Sequence, residues 1–363
     1  MRAVGVTLLL GALAFGGATW AAPPKLVLLL VTGVSAADVA PGGPYEKLRT
    51  LAERGSVGLA EIGLPGEPTE AAAFLTVGAG VPLAVPDKAG PRVREGGIDL
   101  TMAEVATLVF RSDTREGAVV CRGYRKRYGR YAPLRSRIVH LGVGTLSRLP
   151  ENARSAGRIG ELGERWKRAG KRVRVVGNWA GVLVAMDRRY AVYDGSLRTL
   201  APREIGKVLK PCDILVVSED RPRQGLTLAM ALEKLARRQE IHAVILCLPR
   251  PLADNPTPGL VFGLGPSFPP DTVLTGNREG WAALTDLAPT LSRLAGTEFA
   301  TDSGRPLRAT GVVGGSMARI EGHLKWHEFV RHWGLVFQVV FWGTALALSW
   351  LVLAAAFTRW RRR

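Results

Sequence analysis

Three groups of residues in this chain have the types and spacing to do chemistry. The first runs from Arg122 to Arg137 (RGYRKRYGRYAPLRSR), where seven basic residues interleave with Tyr124, Tyr128 and Tyr131. Guanidinium groups fork onto phosphate oxygens and Tyr rings stack or hydrogen-bond. Arg122, Arg125, Lys126, Arg127 and Arg130 are therefore candidate anion-binding residues, although a solvated loop of an Arg-rich protein has the same composition. The second is the pair His323 and His327, spaced i, i+4, which a helix brings to one face. Two imidazoles there can share a metal, but Trp326, Phe329 and Trp333 in the same stretch also fit an amphipathic segment lying at a membrane surface. The third is Thr69, a hydroxyl at the start of an Ala-rich helix, placed to cap it. Backbone N–H groups at such a terminus also favour an anion. The glycines of Gly259 to Gly265 (GLVFGLG) lack dinucleotide-binding spacing and read as a strand and bend at the sheet edge.

The elements that position these residues alternate. Lys25 to Thr32 (KLVLLLVT) is a continuous apolar run, as in a parallel strand buried on both faces. Pro44 opens a helix presenting Leu48, Leu51 and Ala52, which stops at Gly55; Val57 to Ile62 is the second strand. A helix runs from near Thr69 to Gly78, and another from Arg158 to Ala169 carries Ile159, Leu162 and Trp166 on one face. The basic run Arg165 to Arg174 is the polar face and end of that helix. Val173 to Val176 is a strand, and Val182 to Met186 with Tyr190 to Tyr193 read as a hairpin. Asp213 to Ser218 and Ala243 to Leu248 are further buried strands, separated by a helix from Leu226 to Arg238. This order predicts an α/β fold, a mostly parallel sheet with helices on both faces. Its crevice is expected beyond the C-terminal ends of the strands.

The two ends of the sequence stand apart from that pattern. Met1 to Ala21 has Arg2, an apolar run from Val4 to Phe15 and a small-residue end, the layout of a signal peptide cleaved after Ala21. Trp333 to Phe357 is uncharged and long enough to cross a ~30 Å hydrocarbon core. Arg359, Arg361, Arg362 and Arg363 follow it, which places the C-terminus in the cytoplasm and the bulk of the chain outside. The expected division is a signal peptide over 1–21, an extracytoplasmic domain over 22–310, a juxtamembrane segment over 311–332, a transmembrane helix over 333–357 and an Arg-rich tail over 358–363. The net charge is +18; Arg2 and the four tail arginines account for five of these charges, leaving +13 for the rest. That balance suits anionic lipid heads or envelope polymers and, outside the cell, makes nucleic acid an unexpected partner. Cys121, Cys212 and Cys247 mark neither a disulfide framework nor a zinc knuckle.

Residues 284–296 (LTDLAPTLSRLAG) resemble the D-x-A-P-T-L segment of the alkaline phosphatase-like superfamily, which includes phosphatases, sulfatases, nucleotide pyrophosphatases and cofactor-independent phosphoglycerate mutases. Val27 to Val34 resembles the family's opening strand, and Thr69 to Gly80 its nucleophile-bearing helix. Pro150 to Ala153, Val175 to Asn178 and Leu183 to Asp187 resemble a bacterial membrane-associated branch. The likeness extends over roughly residues 25–310 and implies an alkaline phosphatase-like fold. It also implies catalysis by two metal ions, commonly zinc, with a nucleophile in the Thr69 position.

The ligands implied by that resemblance are missing. Thr32 stands where the family has a metal-binding Asp. Cys247-Leu248-Pro249-Arg250-Pro251 stands where it has a D-H-G type turn, and Trp179-Ala180 where related membrane-associated sequences carry a carboxylate. Of five histidines, only His140 and His242 fall inside the matching region. Asp38, Glu67, Glu70, Glu219 and Asp220 are the carboxylates left to substitute if they converge. The expectation is a membrane-anchored, non-catalytic domain with no metal and no cofactor, anchored in lipid through Trp333–Phe357 and binding an anionic envelope polymer or a membrane protein. The alternative is a divergent metal-dependent phosphate or sulfate ester hydrolase with Thr69 as nucleophile.

Overall fold

The computed structural model describes residues 24–64, 68–83, 85, 93–95, 98–100, 108–111, 125, 138–140, 146, 159–187, 192–252, 257–300, 303–311 and 315–361. Residues 1–21 (expected to be a signal peptide), Cys121, Glu67, Pro150 to Ala153 and the Arg122–Arg137 strip other than Arg125 lie outside them. The strands are β1 (Lys25–Thr32), β2 (Ser56–Glu61), β3 (Val93–Glu95), β4 (Ile98–Leu100), β5 (Val109–Arg111), β6 (Ile138–His140), β7 (Val173–Val176), β8 (Val192–Tyr193), β9 (Gly195–Ser196), β10 (Ile214–Glu219), β11 (Ile241–Leu248), β12 (Gly259–Leu264), β13 (Thr272–Thr275), β14 (Trp281–Ala283) and β15 (Arg308–Gly311). The helices are α1 (Arg49–Glu53), α2 (Glu70–Ala79), α3 (Glu161–Arg168), α4 (Trp179–Val184), α5 (Ile205–Leu209), α6 (Pro222–Arg237), α7 (Leu284–Leu294) and α8 (Ser316–Arg361).

The central sheet has the order β15-β13-β2-β12-β11-β1-β10-β7-β9, with β14 paired to β2. β1 lies parallel to β10 on one side and to β11 on the other, as its unbroken apolar run requires. Successive side chains of a strand point to opposite faces. Leu26, Leu28 and Leu30 accordingly enter one core, with Phe74 of α2, Leu162 and Trp166 of α3, Val182 of α4 and Leu287 of α7. Val27, Leu29 and Val31 enter the other, with Leu51 of α1, Ile205 of α5, Leu228 and Leu232 of α6, and Ile320 and Leu324 of α8. Each fully buried Leu or Val contributes about 1.5–3 kcal/mol of transfer free energy. Helices thus cover both faces of a mostly parallel sheet, and the α/β architecture expected from the alternation is the one observed.

Two local readings are corrected. Val182 to Met186 is not half of a hairpin; Val182 to Val184 end α4. Asn178 starts that helix by accepting the Ala180 N–H at 2.9 Å, and Gly78 of α2 lies so close to Val184 that an added Cβ would sit 2.9 Å from its carbonyl oxygen. A short apolar run fits a buried helix or a buried strand equally well, and tertiary packing decides between them. Gly259 to Gly265 is a strand, but an interior one: β12 runs antiparallel between β11 and β2. It is buried throughout.

Helix α8 runs unbroken from Ser316 to Arg361 and is long and apolar enough to cross a membrane. Its first turns belong to the domain. Ile320 and Leu324 are buried, Arg49 of α1 pairs with Glu321, and Arg319 meets Glu279 at 2.9 Å. The stretch holding His323 and Trp326 therefore belongs to a continuous helix whose first turns pack on the domain. From Glu328 onward its described side chains, Gly334 and Ala345 apart, are exposed.

Candidate functional site

The parallel strands β1, β10 and β11 end together, and four groups of side chains occupy that end of the sheet. Thr69 precedes α2 in extended conformation (φ −110°, ψ 153°), and its Oγ1 accepts the Ala72 N–H at 3.1 Å. The hydroxyl is thus engaged as a helix cap, satisfying one of the N–H groups that a helix start leaves open. Beside it, Glu70 Oε1 receives Arg250 Nε at 2.9 Å. Arg250 follows β11, in the stretch expected to correspond to a metal-binding turn. Burial raises the Glu70 carboxyl above its ordinary value; Arg250 opposes that rise and the nearby Asp220 adds to it.

The third group is Glu219 at the end of β10, buried and held by Arg221 at 3.0 Å. The fourth is Thr32 at the end of β1, whose buried Oγ1 has no hydrogen-bond partner. Asp38 is committed elsewhere, accepting the Ser35 N–H at 2.8 Å and the Ser35 hydroxyl at 2.7 Å. Of the described carboxylates considered as substitute ligands, Asp220 lies near enough to Glu70 to act on its charge, and a guanidinium already pairs with Glu70. A dication needs several anionic or imidazole donors at ~2 Å in a fixed geometry. A hydroxyl at Thr32 and a cation at Arg250 do not suit one. Among the described residues no group of three or more His, Cys, Asp or Glu side chains is arranged to hold a metal ion.

The histidines serve other ends. His140 and His242 are buried within strands. His323 and His327 flank the Trp281 ring, with centroids 6.4 and 5.9 Å from it. They line a cleft of about 740 Å³ between the end of β2 and the base of α8, with Trp281, Trp326, Arg278 and Val330. Pro68 and Leu252 also line it, so the cleft adjoins the Thr69–Arg250 end of the sheet. Of the basic strip, Arg125 is exposed and the other four candidates lie outside the described residues. The run Arg165 to Arg174 is an ion-paired surface, with Arg165 on Glu161 at 2.7 Å, Lys167 on Asp187 at 2.9 Å and Arg172 on Asp213 at 2.9 Å.

The D-x-A-P-T-L segment forms α7, and its polar residues have structural partners. Thr290 Oγ1 donates to the Asp286 carbonyl at 2.6 Å and accepts the Leu307 N–H at 2.8 Å. Sequence reasoning missed this role, which needs the position of a loop 17 residues downstream.

No family model matches the chain, and no curated protein matches it. Among solved structures it is similar to human ectonucleotide pyrophosphatase/phosphodiesterase 5, with 8% identity over 77% of this chain and 96% of that one and a TM-score of 0.45. It is also similar to a cofactor-independent phosphoglycerate mutase from Thermoplasma acidophilum, with 11% identity, 75% and 100% coverage and a TM-score of 0.34. A third is a protein of the alkaline phosphatase superfamily from Vibrio parahaemolyticus, with 11% identity, 79% and 70% coverage and a TM-score of 0.42. These are proteins of the superfamily that the motifs resemble. At such identities and scores they carry no activity to this chain, whose α/β architecture stands on its own sheet order.

Proposed function

We propose that this chain is a membrane-anchored, extracytoplasmic domain of alkaline phosphatase-like type that works by binding rather than by hydrolysis. The Arg250–Glu70 ion pair beside Thr69 carries this reading. It puts a positive charge at the end of the sheet where ester hydrolysis would call for a dication, and it engages the Glu70 carboxylate that follows Thr69. A Thr hydroxyl with neither base nor metal is not an activated nucleophile, and this one already caps a helix. The ligand is an anionic component of the cell envelope, free or presented by a membrane protein. Helix α8 is the anchor, with its Arg-rich end in the cytoplasm.

The test is made on the full chain purified in neutral detergent. Elemental measurement should find substoichiometric divalent metal after dialysis. Aryl phosphate and aryl sulfate should be released at the same background rate by the native chain and by Thr69→Ala. Stoichiometric metal together with turnover abolished by Thr69→Ala would establish the hydrolase instead. Protease treatment of sealed cells should leave the Arg-rich tail protected while the domain is digested.

A further inference from the structure

Arg293, Arg305 and Arg308 line one cavity of about 630 Å³ with Thr275 and Thr310, and among the described residues no carboxylate shares the lining. Each residue is brought there by a different element. Arg293 is in the last turn of α7, Arg305 lies in the loop that α7 anchors through Asp286, and Arg308 opens β15. Arg308 and Thr275 are register partners across the β13–β15 pair. Thr310 lies two residues further along β15, on the same face as Arg308.

Three features of this cavity call for an anion. Like charges placed together repel, and the burial that lowers the Arg293 pKa is reinforced by Arg308. Several arginines elsewhere on the domain are matched with acids, as in Arg172–Asp213, Arg221–Glu219 and Arg250–Glu70; among the described residues no carboxylate pairs with these three, and Arg293 donates instead to the Leu307 carbonyl at 2.5 Å. The Asp286 carboxylate is buried at the side of Gly276, and its oxygens already accept the N–H groups of Ala283 at 3.1 Å and Arg305 at 2.8 Å. Finally, the Thr275 hydroxyl is buried and has no hydrogen-bond partner.

We propose that this cavity is a binding site for an oligophosphate, a ligand carrying two or more linked phosphoryl groups, gripped by the guanidinium forks of Arg293, Arg305 and Arg308. Three planar forks match phosphoryl oxygens in pairs. The volume, roughly twenty waters' worth at ~30 Å³ each, exceeds what one orthophosphate fills and suits a chain of them. The site deepens the binding function proposed above and rests on it, while being separate from the Arg122–Arg130 strip and from the Thr69 end of the sheet.

The test uses the full chain in neutral detergent, with inorganic tripolyphosphate and orthophosphate as calorimetric probes. Tripolyphosphate is expected to bind one per chain, more than tenfold tighter than orthophosphate, and to weaken steeply with salt. Arg305→Gln/Arg308→Gln, both at exposed positions, should lower that affinity more than tenfold without shifting the melting temperature. Thr275→Val should lower it severalfold while leaving stability equal or higher, since it removes an unsatisfied hydroxyl. Retention on vesicles of anionic phospholipid should be unaffected by the double substitution, which separates a soluble or polymer-borne phosphate chain from a lipid head group. If tripolyphosphate binding survives Arg305→Gln/Arg308→Gln and is lost on neutralising Arg122–Arg130, the assignment to this cavity is wrong while the binding function stands. If the native chain binds no polyanion under any of these conditions, both fall.

Discussion

The Asp286 carboxylate accepts the backbone N–H of Arg305 at 2.8 Å while its other oxygen takes the N–H of Ala283 at 3.1 Å. One fully buried side chain thus pins the start of α7 to a loop nineteen residues on. Asp286→Asn keeps the shape but offers an NH₂ to one of the two N–H groups. Leaving a buried donor unpaired costs about 1–3 kcal/mol, so the thermal midpoint should fall accordingly, and Asp286→Ala should cost more. Thermal melts followed by circular dichroism check this.

Thr69 is expected to matter for stability alone. Removing an N-cap hydroxyl costs about 1 kcal/mol. Thr69→Ala should therefore lower the urea midpoint, Thr69→Ser should restore it, and neither should change aryl phosphate release. A rate that follows the hydroxyl would contradict the capping role.

Gly177 has φ +117°, and a Cβ there would meet the Ser218 carbonyl oxygen at 1.8 Å. That contact combines backbone strain with a collision against the end of β10. Gly177→Ala should destabilise by about 1–3 kcal/mol or more and loosen α4, whose cap Asn178 follows directly. Faster amide exchange across 179–184 would report it.

The elements were legible where the local pattern was sufficient. β1, β10 and β11 are apolar runs because both of their faces are buried, and the Thr69 cap follows from a hydroxyl before an Ala-rich helix. α4 was not legible: WAGVLVAM has neither a two-residue nor a 3.6-residue period, since it is buried nearly all round. The interior position of β12 depends on pairings with β2, roughly 200 residues away, which no local signal encodes. The same holds at the site. Arg250 and Glu70 stood out singly, but their contact joins residues 180 positions apart.

Arg172 holds the Asp213 carboxyl down at about 2, from 3.8, chiefly through the side-chain hydrogen bond. The folded value lies below the unfolded one, so this pair stabilises the chain above pH 4 and its contribution is lost as pH falls toward 2. The pair lies at the solvent-screened surface, so the loss is small. Asp213→Asn should remove that part of the acid dependence, measured as urea midpoints between pH 5 and 2.

Cys212 and Cys247 are buried free thiols, pushed up by desolvation to about 11 and about 12. The thiolate is the reacting species. In a Cys121→Ser background, iodoacetamide at pH 8 should leave both unlabelled in the folded chain and modify both in denaturant. Mass spectrometry distinguishes the outcomes.

Helix α8 is one 46-residue rod, about 69 Å at 1.5 Å per residue, and its first turns are built into the domain core through Ile320 and Leu324. A domain carried this way is not a ball on a string. With α8 as the proposed anchor, any tilt of the helix within a bilayer would turn the whole globule with it, so its height above the lipid and the compass bearing of each of its faces would be set together. Partners sharing the membrane would meet this protein in one fixed pose.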